Sequence, residues 1–208
     1  AVAGVPPDGF SEDGQLWGNP LYRWDVLAQD GYSWWLRRLA AAGELYDVIR
    51  LDHFRGFESY WAVPFGDTTA RGGHWVKGPG MDFVEAVKTK LPHIRMIAED
   101  LGFLTQAVLD LRDESGFPDM KVLGFAFDSR EPSDYLPHTY TQNSVCYTGT
   151  HDNMTTRQWF DTAPKGAVKD GREYMGIRPD ESDVWGTIRT AMAGVSDLCV
   201  IPIQDYLE

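Results

Sequence analysis

Apolar residues along the chain fall into two kinds of pattern. Runs rich in β-branched and aromatic residues show no regular alternation with polar ones, which is typical of strands buried on both faces. These runs are 46–51, 94–98, 122–127, 145–148 and 198–203. Amphipathic patterns between them predict helices at 32–42, 81–91, 104–111 and 183–193. The alternation of strand and helix predicts an α/β fold built from parallel βα units.

Two stretches carry neither pattern. Residues 4–20 and 66–80 are rich in Gly and aromatic residues, and we predict long loops there, which inside a compact domain are usually functional. Tyr60 and Trp61, just before the second stretch, are predicted to belong to the core. No internal repeat or linker divides the sequence, so we expect residues 1–208 to form part of one catalytic domain.

Polar side chains gather where the predicted strands stop. In parallel α/β folds the carboxyl ends of the strands form the active face, so side chains there are strong candidates for catalysis. The residues at these positions are Arg50, Asp52, Glu99, Asp100, Asp128, His151, Asp152, Gln204 and Asp205. A single carboxylate of this kind is as often a helix cap or an ion-pair partner, and we assign Asp100 and Asp128 to those supporting roles.

Composition narrows the class of partner. The net charge is −12, from 31 acidic and 19 basic residues, which argues against nucleic acid or an anionic membrane, since both need a basic face. Aromatic residues make up 13% and include eight Trp, and flat rings stack well on sugars. No apolar run reaches the length of a membrane span. The two cysteines lie in apolar segments, which fits a reducing compartment, so we expect a cytoplasmic protein.

Two of the strand-end carboxylates have surroundings that differ. Breaking an acetal between sugars with retention needs one carboxyl group that stays ionised and another that holds a proton near neutrality. Asp52 lies two residues from Arg50, hence on the same side of a strand, and Arg55 follows closely; a neighbouring guanidinium favours the charged carboxylate. Glu99 ends an apolar run, where partial desolvation would raise its pKa.

Five segments carry a resemblance to a known family. They are GVPPD at 4–8, GQLWGNPLY at 14–22, IRLDHFRG at 49–56, IAEDLG at 97–102 and YTGTHDN at 147–153. In this order they resemble the amylomaltases, or 4-α-glucanotransferases, of glycoside hydrolase family 77 in the α-amylase clan. The resemblance covers essentially the whole chain and implies part of a (β/α)8 TIM barrel. It places Asp52 at the end of the fourth barrel strand, Glu99 at the end of the fifth and Asp152 at the end of the seventh.

The resemblance also implies a role for each site residue. Asp52 would be the nucleophile and Glu99 the general acid/base, while Asp152 would bind the hydroxyls of the sugar being cleaved. The implied substrate-binding residues are Arg50, His151, Trp17, Asp8, Asn19 and Trp75. The partners would be maltooligosaccharides and starch- or glycogen-type α-1,4-glucans. No cofactor is implied, and the sequence holds no calcium loop of the D-x-D-x-D-G type.

The match has departures and alternatives. Amylomaltases are about twice as long, so we expect the first three barrel strands and the C-terminal end to lie outside this sequence. Gly9 stands where some relatives carry a larger residue, and Phe10 could supply that contact. Trp17 and Trp75 could be core residues instead, and His53 could face the core. The alternative functions are an α-glucan hydrolase of the same clan and an inactive glucan-binding fragment; the alternative compartment is the plastid stroma.

Overall fold

The computed structural model of the chain describes residues 1–8, 11–102, 104–127 and 133–208. These residues form two compact units, 1–117 and 118–208. The predicted positions Gly9, Phe10 and Asp128 lie outside the described residues. Among the described residues, no helix is both long and apolar enough to cross a membrane, and no cluster of three or more His, Cys, Asp or Glu side chains could hold a metal ion.

Parallel strands in the first unit appear where the sequence predicts them. Strands β3 (Val48–Leu51) and β6 (Arg95–Ala98) pair in parallel. Helices α2 (Ser33–Gly43), α3 (Gly80–Lys90) and α4 (Gln106–Ser115) accompany them. Helix α3 buries Phe83, Val84 and Val87 on one face, and α4 ends at Gly116 in the left-handed conformation (φ 70°) that glycine adopts without strain.

An antiparallel sheet in the same unit was not predicted. It has the order β2-β1-β4-β5, and its strands are β1 (Val2–Val5), β2 (Gln15–Pro20), β4 (Ser59–Val63) and β5 (His74–Lys77). The loops predicted at 4–20 and 66–80 are therefore partly strands. Short, largely exposed strands with several glycines lack the apolar alternation that would reveal them. Tyr60 and Trp61 lie half-buried in this sheet, on β4.

The core of the first unit is aromatic. Phe57 and Phe83 stack with their rings parallel, 4.8 Å between centroids, and Phe54 is fully buried beside Phe57. Trp24, from the short helix α1 (Trp24–Gln29), packs against Phe57 and Phe83. Residues 54–57 form a 3₁₀ turn that follows β3 after two intervening residues, so Phe54 and Phe57 of this core follow closely on Asp52 and His53.

The second unit contains a parallel sheet with the order β7-β8-β9. Its strands are β7 (Asp119–Val122), β8 (Ser144–Tyr147) and β9 (Leu198–Val200), and its helices are α5 (Thr156–Thr162), α6 (Lys165–Met175), α7 (Asp183–Met192) and α8 (Ile203–Leu207). Helix α7 begins at its cap Ser182, whose side chain accepts from the N–H of Trp185. The parallel arrangement agrees with the α/β prediction.

Two predicted strands of this unit have different bounds. The strand predicted at 122–127 lies earlier, at Asp119–Val122, and residues 123–125 form a 3₁₀ turn that buries Leu123. An uninterrupted apolar run does not distinguish a strand from a buried turn. The strand predicted at 198–203 ends at Val200 because Pro202 has no N–H to donate to a ladder and instead begins α8. Asp205 is therefore a helical residue and not the end of a strand.

Candidate active site

The register of β3 and β6 brings Asp52 and Glu99 side by side. Leu51 pairs with Ala98 at the carboxyl end of the ladder, and Asp52 and Glu99 are the next residues on the two strands. The pairing continues past the strands, since the N–H of Glu99 donates to the carbonyl of Leu51 at 3.0 Å and the N–H of Phe54 donates to the carbonyl of Glu99 at 2.8 Å. Neighbouring strands lie about 4.8 Å apart, so the two carboxyl groups start from adjacent positions.

Two backbone amides hold the carboxylate of Glu99. The N–H of His53 donates to Oε2 at 2.6 Å, and the N–H of Leu101 donates to Oε1 at 2.9 Å. Burial nevertheless raises the pKa of Glu99 above its usual value, and the charge of Asp52 acts in the same direction, while the two amides and Arg50 oppose it. A half-buried carboxyl group with a raised pKa is suited to carry and deliver a proton.

Asp52, unlike the half-buried Glu99, is mostly exposed to solvent. Its side chain is 74% exposed, and its Oδ1 lies 2.7 Å from Nη2 of Arg50. The contact with Arg50 is the one that the two-residue spacing predicts. The exposed carboxylate of Asp52 is open to a ligand, which the position of a nucleophile requires.

His53 links the two carboxylates to the antiparallel sheet. Its backbone is left-handed, with φ 50° and ψ 54°, and the same residue donates the N–H that Glu99 accepts. The ring meets Trp17 edge-on at 4.7 Å between centroids. Burial, together with the charge of Arg55, lowers the pKa of His53 to about 4, with Asp52 opposing, so the imidazole is neutral near neutrality.

Trp75 is partly exposed, and the side chains of Arg55 and Trp61 pack against its ring. The guanidinium of the buried Arg55 lies 4.2 Å from the centre of the Trp75 ring, and Trp61 meets the same ring at 5.2 Å. Close by, the buried Glu58 is ion-paired with Lys77. Trp75 is therefore not a core residue. Its exposed part is accessible to a ligand, and the guanidinium of Arg55 holds the ring in place.

The remaining predicted residues of the first unit are less closely connected to the carboxylates. Trp17 is 43% exposed, and its indole N–H donates to Oε1 of Gln15 at 3.2 Å. The side chain of Asp8 accepts from the N–H of Ser11 at 2.8 Å, and Asn19 is exposed on β2. Asp100, predicted in a supporting role, is buried and paired with Arg112 at 2.9 Å.

His151 and Asp152 lie in the second unit, in the segment between β8 and α5. Both side chains are more than 70% exposed, and Nε2 of His151 lies 3.4 Å from Oδ2 of Asp152. Asn153 braces the segment: its Oδ1 accepts from the N–H and the hydroxyl of Thr150, each at 2.9 Å. Both residues follow the end of β8, near the strand end that the sequence predicts, and their role toward a sugar stays a prediction.

Sequence reasoning did not single out the residues that support the site. The sequence indicates His53 only as a possible core residue, Arg55 only as a neighbour of Asp52 and Asp205 only as a strand end. One local feature could have indicated Arg55, because it is a charged residue between Phe54 and Phe57. A cation buried among apolar side chains needs partners. Pairing of a donor with a distant carboxylate leaves no such local pattern.

The fold and these residues define an α/β protein whose strand ends present a paired aspartate and glutamate with contrasting surroundings. A model of the family described as 4-alpha-glucanotransferase, glycoside hydrolase family 77, matches residues 1–208, and the chain belongs to this family.

Individual relatives agree with this assignment. The chain is 46% identical over 208 residues to a 4-alpha-glucanotransferase of Clostridium butyricum, covering 100% of this chain and 43% of the relative. It is 46% identical over 206 residues to the chloroplastic/amyloplastic 4-alpha-glucanotransferase of Solanum tuberosum, covering 99% of this chain and 36% of the relative. The solved amylomaltase of Streptococcus agalactiae in complex with acarbose superposes with a TM-score of 0.94 at 39% identity, covering 100% of this chain and 42% of that one. The chain thus spans less than half the length of these relatives.

Proposed function

We propose that the protein carrying this chain is a 4-α-glucanotransferase that moves α-1,4-glucan segments between maltooligosaccharides, or on starch- and glycogen-type glucans, with retention of configuration. The observation that carries the proposal is the pair Asp52 and Glu99, adjacent in register and held in contrasting surroundings. Retaining glycosidases need a charged nucleophile and a protonated acid about 5 Å apart. The names of the relatives supply the substrate class.

The first half of the reaction forms a covalent intermediate. A carboxylate oxygen of Asp52 attacks the anomeric carbon of the donor glucan, and the bond from that carbon to the glycosidic oxygen breaks. Glu99 gives its proton to the departing oxygen, so the leaving glucan ends in a hydroxyl group. Burial favours the protonated form of Glu99 before this step, and Arg50 stabilises the charge on Asp52.

The second half reverses these roles. The 4-hydroxyl of an acceptor glucan attacks the anomeric carbon, Glu99 takes the hydroxyl proton, and the bond to Asp52 breaks to restore the free carboxylate. Two inversions give net retention. The two carboxyl groups account for every proton and bond transfer, so the proposed reaction uses no cofactor.

The remaining site residues are proposed to bind the glucan. Asp152 and His151 would contact hydroxyls of the sugar bound to Asp52. Trp17, Asp8 and Asn19 would line the acceptor side, and Trp75 would belong to a further loop that lines the cleft. Within the longer protein we propose that β3, β6, β7, β8 and β9 are strands four to eight of a (β/α)8 barrel, an arrangement in which these strand ends share one face. Bacterial and plastid relatives support the cytoplasm, or alternatively the plastid stroma, as the compartment.

Incubation of the intact protein with maltotriose tests the proposal. A transferase disproportionates maltotriose into glucose and a ladder of longer maltodextrins, which chromatography resolves. Products no longer than maltotriose would identify a hydrolase. Binding of maltodextrin without any change in its length would identify a glucan-binding protein without activity. Asp52→Asn, run in parallel, should abolish the ladder and shows that the products come from this site.

A further inference from the structure

A buried carboxylate lies beneath the exposed segment of the second unit. Asp205, in α8, is 2% exposed. Its Oδ2 accepts from the hydroxyl of Thr148 at 2.6 Å and from the hydroxyl of Thr156 at 2.8 Å, and its Oδ1 accepts from the N–H of Thr156 at 3.0 Å. Three donors thus converge on one buried carboxyl group, and leaving any of them without its acceptor would destabilise the unit, because a buried donor without a partner keeps its full desolvation penalty.

The partners of Asp205 stand at both ends of one segment. Thr148 directly follows β8, and Thr156 is the first residue of α5. Residues 149–155 lie between them and include His151 and Asp152. The side chains of these two residues are mostly exposed, so their own burial contributes little to fixing their place. Inside the segment Asn153 accepts from Thr150, and both ends of the segment are tied to the rest of the unit by one carboxyl group, that of Asp205.

We propose that Asp205 is a positioning residue, which holds residues 149–155 so that His151 and Asp152 present their side chains to the sugar. The inference rests on the proposed function, since it takes Asp152 as a sugar-binding group. A displacement of about 1 Å at a reacting centre can cost a hundredfold in rate. An anchor that never touches the substrate can thus control turnover.

The principal test is Asp205→Asn in the intact protein. The amide has nearly the shape of the carboxylate but replaces one acceptor oxygen with a donor, so it cannot accept from all three donors. We expect kcat/KM for maltooligosaccharide transfer to fall about 10- to 100-fold. In an Asp152→Asn background the same change should cost only a few-fold, because the two residues act through one contact. An equal cost in both backgrounds would overturn the inference.

Two matched changes keep the test decisive if Asp205→Asn folds poorly. Thr148→Val removes one hydroxyl donor at nearly constant volume and should lower kcat/KM about tenfold, whereas Thr148→Ser keeps the hydroxyl and should stay within about twofold. Wild-type activity in Thr148→Val would contradict the proposal.

Asp119→Asn is the control, because Asp119 is also buried but lies at the amino end of β7, paired with Lys121 at 2.9 Å.

The control separates positioning from a general loss of stability. Asp119→Asn should lower the thermal midpoint yet leave kcat/KM within about twofold; a fall equal to that of Asp205→Asn would overturn the inference. Failure of the proposed function has a different result. If Asp152→Asn keeps wild-type transfer, the sugar-binding role of Asp152 is wrong and the inference falls with it. If Asp152→Asn is impaired while Asp205→Asn and Thr148→Val are fully active, only the inference is wrong.

Discussion

The two units support their polar residues in different ways. In the first unit, Asp52 and Glu99 are the next pair of a β-ladder, and backbone amides reach the Glu99 carboxylate directly. In the second unit, His151 and Asp152 lie on an exposed segment whose ends are tied to one buried side chain, Asp205. Hydrogen bonds of the main chain place Asp52 and Glu99. In the proposal above, one side chain, that of Asp205, positions His151 and Asp152.

This difference changes what a mutation can reveal. Changing Asp52 removes chemistry while the main-chain hydrogen bonds of the ladder remain. Changing Glu99 to Gln also replaces one of the two oxygens that accept from the N–H groups of His53 and Leu101. Changing Asp205 should alter geometry while every reacting group remains present. Asp52→Asn should therefore lower activity without loss of structure, whereas the loss caused by Asp205→Asn should depend on whether Asp152 is present.

The largest expected effect is that of Asp52→Asn in the intact protein. It removes the oxygen nucleophile, and we expect kcat/KM to fall by about 10³- to 10⁵-fold, or about 4–7 kcal/mol. The thermal midpoint should change little, since the Asp52 side chain is exposed. Asp25→Asn is a matched control, because Asp25 is also an exposed partner of an arginine, at 2.7 Å from Arg23. Comparable activity in the two variants would mean that Asp52 is not the nucleophile.

A smaller and more selective effect is expected for Glu99→Gln. Loss of the acid should lower transfer from maltooligosaccharides about 10²- to 10⁴-fold, but much less from a glycosyl fluoride, whose leaving group needs no proton. The pH profile gives a second reading. Burial raises the pKa of Glu99, and the first step needs its protonated form, so kcat/KM should be high below that pKa and fall as pH rises through it. An unchanged alkaline limb in Glu99→Gln would remove Glu99 from this role.

The sequence was most informative where the end of a predicted strand fixes the position of the next residue. The apolar runs ending at Leu51 and Ala98 predict buried strands, and the residues after them are the candidate pair. It was least informative for the antiparallel sheet, where β2 and β5 are mostly exposed and carry no apolar alternation. Some of the glycines that suggest a loop have a packing role, since a Cβ at Gly73 would overlap the indole of Trp61, whereas Gly18 and Gly66 have positive φ angles of 78° and 100°.

Contacts between distant residues were also beyond a local pattern. Asp205 is 49 positions from Thr156, and no spacing rule connects them. The same holds for the N–H of His53 and the carboxylate of Glu99, 46 positions apart. The ion pair between Arg50 and Asp52 could be predicted, because a strand places the side chains of residues i and i+2 on one side.

The smallest expected effect concerns the stability of the first unit in acid. Burial lowers the pKa of His53 to about 4 from 6.5, so the unfolded chain binds a proton that the folded one refuses. Stability from this group is complete above about pH 6.5 and is lost as pH falls toward 4, on the order of 2–3 kcal/mol. His53→Asn removes the titrating group and keeps a residue that tolerates the left-handed backbone. Its thermal midpoint should vary less between pH 7 and pH 4.5 than that of the unsubstituted protein, whereas His93→Asn, at an exposed position, should vary as much. The same acid dependence in His53→Asn would show that other groups control it and that the imidazole is not held neutral by burial beside Trp17.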